Sequence, residues 1–405
     1  MMINHGDVAF MIISTVLVLI MIPGFAFFYG GLVARKNSLT MMFQSFIAIG
    51  IVTIMWIFGG FGLTFGTDIG GIIGNPANYF AFSGINNMLN PAYSSNLPFL
   101  SFFMYQLMFA IITAPLMTGA FADRIKISGW IKVLILWMLL IYFPVAHWVW
   151  GGGFLHNMGF VDYAGGAVIH ITAGFGCVSG VLFLGQRAVK NQDGPFHIGF
   201  VALGATLLLF GWFGFNAGGS LAADTAVIVF TNTGVAAASA MIVWTILYFF
   251  EKKQFSFLEM IIGTVAGLAT ITPCSGYVTP LSATLIGALG AIVCFFAVLI
   301  ERKYIDDALD VFGCHGMGGF LGTLLVDIFS NPEINGISAG LGQFLIQLFG
   351  SAIIASYSIV VTYIIFFIAD KLGTIRVTKE MQEHGLDDTF FHENFSDYSN
   401  SNKNN

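Results

Sequence analysis

Long apolar runs divide this chain, and every lysine and arginine falls after an odd-numbered one. The runs cover residues 8–33, 39–65, 98–121, 128–149, 162–186, 196–218, 223–250, 257–273, 280–300, 311–329 and 338–369. A helix of about 20 apolar residues crosses the hydrocarbon core of a bilayer. The basic clusters are Arg35/Lys36, Arg124/Lys126/Lys132, Arg187/Lys190, Lys252/Lys253, Arg302/Lys303 and Lys371/Arg376/Lys379/Lys403, which together hold all 15. Basic residues stay on the cytoplasmic side of a membrane. One missed or extra span would break the alternation, so the pattern fixes the count at eleven. The N-terminus is then outside and the C-terminus cytoplasmic. The opposite face carries only acids: Asp7, Asp68, Asp162, Asp224, Asp327 and Glu333. They draw cations toward the outer mouth, although any one of them reads equally well as a solvated loop acid.

Composition agrees. Of the residues 57% are hydrophobic and 9% are charged, against about 25% charged in a soluble domain. A closed barrel needs alternating segments of roughly ten residues, and these runs do not alternate. Cys177, Cys274, Cys294 and Cys314 lie scattered in apolar runs without CxxC spacing, which argues against a disulfide framework or a zinc site. Met1 to Asp7 lacks the basic stretch of a signal peptide, so the first run is expected to remain as a span.

The expected fold is all-α and polytopic, with eleven transmembrane helices built as an inverted five-plus-five repeat and one extra helix. Residues 1–371 form the membrane domain and 372–405 a cytoplasmic tail. Its end, Ser396 to Asn405, is low in complexity and expected to be disordered. The repeat is suggested by similar Gly- and Phe-rich stretches, Pro23 to Gly31 in span 1 and Gly211 to Gly219 in span 6. Transporters built this way place their site between the halves.

An ionisable side chain inside a membrane is costly and marks a candidate site. His170 lies about nine residues into span 5 and His315 within span 10, in its inner half. Histidines 5, 147, 156, 197, 384 and 392 fall at span ends, in loops or in the tail. Spans 5 and 10 close the two halves, so symmetry brings His170 and His315 together. Neutral imidazole both donates and accepts. Two rings therefore line a narrow path that shares a proton or bonds a small polar solute. Aromatic side chains near the outer ends, Phe102, Phe103, Tyr105, Phe109, Trp148, Trp150, Trp212, Phe213 and Phe215, offer faces to a cation. For most of them the interfacial aromatic belt is the simpler account.

Several motifs resemble the ammonium transporter (Amt/Mep/Rh) family, in its bacterial Amt form. They are Gly24 to Gly31, Trp150 with Gly151 to Gly153, Asp162-Tyr-Ala-Gly-Gly-Ala-Val-Ile-His170, Gly211-Trp-Phe-Gly-Phe-Asn216-Ala-Gly218, Asp310-Val-Phe-Gly-Cys-His315-Gly, and Glu383-His-Gly-Leu-Asp387 in the tail. They cover nearly the whole chain in family order. The resemblance implies an eleven-helix subunit of a homotrimer in the cell membrane, with a pore in each subunit. His170 and His315 match the twin pore histidines, and Phe109 and Phe215 the stacked phenyl gate. Trp150 and Phe109, with Tyr105, Gly219 and Ser220 nearby, match the outer recruitment site. Asp162 and Asp310 match structural acids, and capping of a helix N-terminus suits Asp162. Gly219 stands where bacterial members commonly carry Ser, with Ser220 next to it, and Tyr105 stands where Phe is common.

The expected function is transport: the protein recruits ammonium, or methylammonium as analogue, and conducts ammonia past two histidines, the proton relayed separately or not at all. The alternatives are an ammonium sensor with little flux, a Rhesus-like neutral gas channel and an intramembrane enzyme. The sequence has no HExxH pair, no Ser/Lys or Ser/His pair in motif context and no phosphate loop, so no cofactor, metal or nucleic acid is expected. The resemblance implies a cytoplasmic PII-type regulatory partner at the tail. Lipid surrounds the rest.

Overall fold

The structure is a computed structural model that describes residues 2–189 and 194–393. Lys190, Lys403 and the segment Ser396 to Asn405 lie outside the described residues. Among the described residues, ten helices are long and apolar enough to cross a membrane: α1 His5–Leu32, α2 Arg35–Phe65, α3 Phe99–Gly119, α4 Ile127–Asn157, α5 Gly166–Leu184, α6 Ile198–Ser220, α7 Ala223–Lys252, α9 Pro280–Tyr304, α10 Phe312–Phe329 and α11 Leu341–Lys371. The remaining span, α8 Phe257–Ile271, has 15 residues. That is about 22 Å of helix against a hydrocarbon core of about 30 Å.

Thr272 keeps helical angles and its N–H donates to Leu268 O, and the helix stops at Pro273, which has no N–H to continue the ladder. Irregular backbone at membrane depth survives only inside protein, and here polar side chains meet it. Trp212 Nε1 donates to Thr272 Oγ1 at 2.9 Å. Asn232 Nδ2 donates to the carbonyls of Ser275 and Val278.

The two halves interlock through small residues, which let helices in a membrane approach closely. α1 lies along α6, with Gly24 on Leu208 and Gly204 on the backbone of Phe28. α5 crosses α10 at Gly174 and Gly316, where a Cβ on Gly174 would fall 2.2 Å from the Gly316 Cα. Helices 1 with 6 and 5 with 10 are the pairs that a twofold between two five-helix halves produces.

Hydrogen bonds gather the basic loops on one face. Arg124 Nη1 donates to Gly185 O, Arg187 pairs with Asp306, and Arg376 Nη2 donates to Gln186 O. The tail helices α12 Lys379–His384 and α13 Leu386–Phe391 lie on the same face. Lys36 Nζ donates to Glu383 O, and Asp387 accepts from the Leu39 and Thr40 N–H groups near the start of α2. On the other face two hairpins fill the segment between α2 and α3: β1 Asp68–Ile69 with β2 Ile73–Gly74, and β3 Leu89–Asn90 with β4 Ser94–Pro98.

Three details depart from expectation. α5 begins at Gly166, because residues 162–165 form a turn with Gly165 at φ 106°. His147 is fully buried although it sits at a span end. The acid-lined outer face is thinner than charge counting suggests. Asp7 accepts from Asn96 Nδ2 and Ala223 N, Asp162 caps a helix, and Asp327 is buried within α10.

Candidate functional site

A cavity of about 660 Å³ opens on the outer face, and Tyr105, Phe109, Trp150, Asp162 and Gly219 contribute to its wall. Trp150 follows the last regular turn of α4, its N–H donating to Ala146 O at 2.8 Å. Its indole Nε1 donates to Asp162 O at 2.9 Å. The ring stands edge-on to Phe109, with centroids 6.0 Å apart and planes at 89°. Ser220 is turned elsewhere, its hydroxyl 2.7 Å from Tyr163 Oη. Gly219 is the one that faces the cavity. A Cβ there would lie 3.1 Å from Tyr163 O and 3.2 Å from its ring.

Beneath the cavity, Phe109 of α3 and Phe215 of α6 stack at 4.5 Å and 27°. Both are buried. Tyr105 braces this pair: its ring packs on Phe109 at 4.9 Å, and its hydroxyl donates to Phe215 O at 2.7 Å. The hydroxyl that distinguishes Tyr from Phe is thus spent on the backbone behind the gate.

Past the phenyl pair stand the two histidines. His170 and His315 stack at 5.2 Å and 21°, with Nδ1 to Nδ1 at 3.3 Å. Such a contact holds one proton, so one ring donates and the other accepts. His170 Nε2 is buried with no protein partner. Trp212 backs both rings, nearly parallel to His315 at 1°. Each histidine sits in a π-helical turn near the start of its helix, Gly166–Ile171 and Phe312–Gly316. π turns are rare and recur at functional sites. The outer start of α5 and the inner start of α10 are both recessed, which is why the two rings meet. Below them a cavity of about 230 Å³ opens on the inner face, with Tyr29, Asp123, Arg187, Arg302, Asp310 and His315 in its wall.

Acids hold these helix starts: Asp162 at α5, and at α10 Asp310 together with Asp307, whose Oδ2 accepts from Phe312 N at 2.7 Å. Asp162 accepts from the N–H groups of Gly165, Gly166, Ala167 and Val168 at 2.7–3.0 Å. These are the unpaired donors of an N-terminus. Gln347 of α11 clamps the strand before it, accepting from Val161 N and donating to Val161 O. On the inner side Asp310 takes a two-pronged bond from Arg302, 2.9 Å to Nε and 2.5 Å to Nη2. Its own carbonyl accepts from Cys314 N.

The Ammonium Transporter Family model matches residues 9–396. The chain belongs to the ammonium transporter family. A putative ammonium transporter of Methanothermobacter thermautotrophicus is 43% identical over 402 residues, covering 96% of this chain and 97% of the relative. Among solved structures, Candida albicans Mep2 superposes with a TM-score of 0.87 at 30% identity, over 93% of this chain and 87% of that one. A structure titled Sensor Amt Protein gives 0.87 at 30% identity, over 95% and 98%. This family member is therefore a multi-pass membrane protein, and its relatives are named as transporters rather than enzymes. Sequence reasoning passes over His147 because it falls at a span end rather than inside one. The signal that could have found it is Asp68 in the adjoining loop.

Proposed function

We propose that this protein recruits ammonium from the outer face and conducts ammonia past His170 and His315, while the histidine pair passes the proton separately. The observation that carries this reading is the stack of rings in order: Trp150 on Phe109, Phe109 on Phe215, Phe215 6.3 Å from His170, and His170 on His315. Ammonium sheds water in the outer cavity, where the faces of Trp150 and Phe109 replace part of its hydration. A bare cation in a low-dielectric path is expensive, so on passing the phenyl gate the substrate gives its proton to the histidine pair, whose His170 Nε2 has no protein partner, and continues as ammonia. Potassium has the same charge and no proton to give, which excludes it. Asp162 and Asp310 hold the helix starts that carry the histidines and do not touch the substrate. The same subunit assembles as a trimer with a pore in each copy.

Replacing Trp150 by Leu raises the KM for methylammonium about tenfold, the scale of one desolvated cation–π contact. The turnover at saturation stays within about twofold, because the pore below is untouched. Uptake into proteoliposomes checks this, and an unchanged KM would show that recruitment lies elsewhere.

A second reading, a sensor with little flux, is favoured by the likeness to the structure titled Sensor Amt Protein. Flux through pure protein separates the two. The tail, strapped to the inner loops through Lys36, Asp387 and Arg376, is the docking element for a PII-type partner. Removing residues 372–405 is expected to abolish co-purification of such a partner. Retention at wild-type level would count against the tail.

A further inference from the structure

The His147 ring is fully buried between two acceptors. Nδ1 lies 2.8 Å from Thr64 O, and Nε2 lies 2.9 Å from Asp68 Oδ1. Neither a carbonyl nor a carboxylate oxygen can donate. Neutral imidazole has one N–H, so it would satisfy one contact and aim a lone pair at the other. Both contacts are satisfied when the ring is an imidazolium and Asp68 is ionised. The second site for the proton, Asp68 itself, is the poorer one. Its side chain is 40% exposed. Its bond to His147, followed by one from Gly71 N, holds its carboxyl below the ordinary carboxylate value.

This contact reaches the recruitment site through backbone. Thr64 lies in the last turn of α2, and Asp68 begins the β1–β2 hairpin. Gly151, next to Trp150, packs directly on the His147–Thr64 bond. A Cβ there would fall 1.9 Å from Thr64 O and 2.5 Å from His147 Nδ1. His147 O accepts from Gly151 N and Gly153 N, both at 3.0 Å. The hairpin returns the hold, with Gly71 O accepting from Phe154 N at 3.0 Å and Ile72 O from Trp148 Nε1 at 2.8 Å. The elements packed on this end of α4 bring other titratable groups: Tyr142 earlier in α4, Tyr357 of α11 packed on Trp148, Tyr93 with its hydroxyl on Phe65 O, Asp162 and His156 in the wall of the outer cavity, and His170 bonded to His315. Asp68 is the acid bonded to the ring.

We infer that His147 and Asp68 form an imidazolium–carboxylate clip that positions Trp150, so that external pH tunes how well the outer mouth takes up its cation. His147 is a positioning residue and touches no substrate. When the ring loses its second proton, a lone pair faces a carboxylate, the hairpin lets go and the turn carrying Trp150 loosens. The inference rests on the reading that Trp150 recruits the substrate.

Two readouts on the purified full-length protein test it. The first is methylammonium uptake by proteoliposomes between about pH 6 and about pH 8.5. The wild-type KM is expected to rise about fivefold across this range, the scale of one hydrogen bond to a charged group, with the saturated rate changing far less. Asp68→Asn is expected to flatten the profile at low KM, because a carboxamide N–H can donate to a neutral ring. Asp68→Ala is expected to stay at the high KM throughout. The second readout is the ¹⁵N spectrum of histidine-labelled protein near neutral pH. It should hold an imidazolium signal that is present in the wild type and missing from His147→Gln and from Asp68→Ala. A neutral His147 in that spectrum overturns the clip. A wild-type KM profile that matches Asp68→Asn overturns its link to Trp150. Failure of the recruitment reading shows separately, as an unchanged KM in Trp150→Leu.

Discussion

Alanine at His170 or at His315 is expected to lower methylammonium uptake by on the order of a hundredfold, the usual worth of a positioned proton-transfer group. The two rings share one proton across 3.3 Å, so removing either leaves the other without its partner. The surviving ring then bonds water or the substrate itself and no longer passes a proton along the pair. The loss therefore belongs to the pair. The double variant should be no worse than either single one, as for groups that act as a unit. Trp150 and the phenyl gate stand above the pair and are untouched, so KM should move little. Uptake by the three variants at equal abundance in the membrane checks this. Losses that multiply in the double variant would mean that the rings act independently.

Asp162→Ala is expected to remove most folded protein. Its carboxylate accepts four buried N–H bonds at the start of α5. A buried donor left without an acceptor costs about 1–3 kcal/mol, so the sum is comparable with the whole stability of a typical domain. The same turn sets the position of His170 a few residues on, and Gly166 packs on Pro273 and so ties it to the unwound end of α8. Asp162→Asn keeps one carbonyl oxygen as acceptor and should fall between wild type and alanine. Thermal unfolding in detergent, with the yield of membrane-inserted protein, measures this. Wild-type stability in the alanine variant would show that α5 finds its donors another acceptor.

How much of this is legible in the sequence depends on which force sets each feature. The spans and their sidedness are legible because hydrophobicity and the placement of Arg35 through Arg376 act on whole segments. His170 and His315 stand out because a histidine inside an apolar run has no other reason to be there. What stays hidden is local backbone. The π turns that aim both rings lie where Gly174, Gly316 and Gly319 pack closely, which no periodicity shows. The turn at 162–165 reads as helix, because its residues are small and uncharged apart from the cap and Tyr163. His147 escapes notice because its partners, Thr64 O and Asp68, come from a different span and its loop. Ser220 beside Gly219 reads as a substitute hydroxyl, yet it bonds Tyr163 instead.

Radiolabelled methylammonium uptake by proteoliposomes containing only this protein, compared with the same vesicles bearing His315→Ala, tests the central claim most directly. Saturable uptake with pure protein and no added cofactor, unaffected by excess potassium and lost on the order of a hundredfold in the variant, is the predicted result. Equal uptake by the variant, or wild-type uptake no faster than empty vesicles, would contradict it.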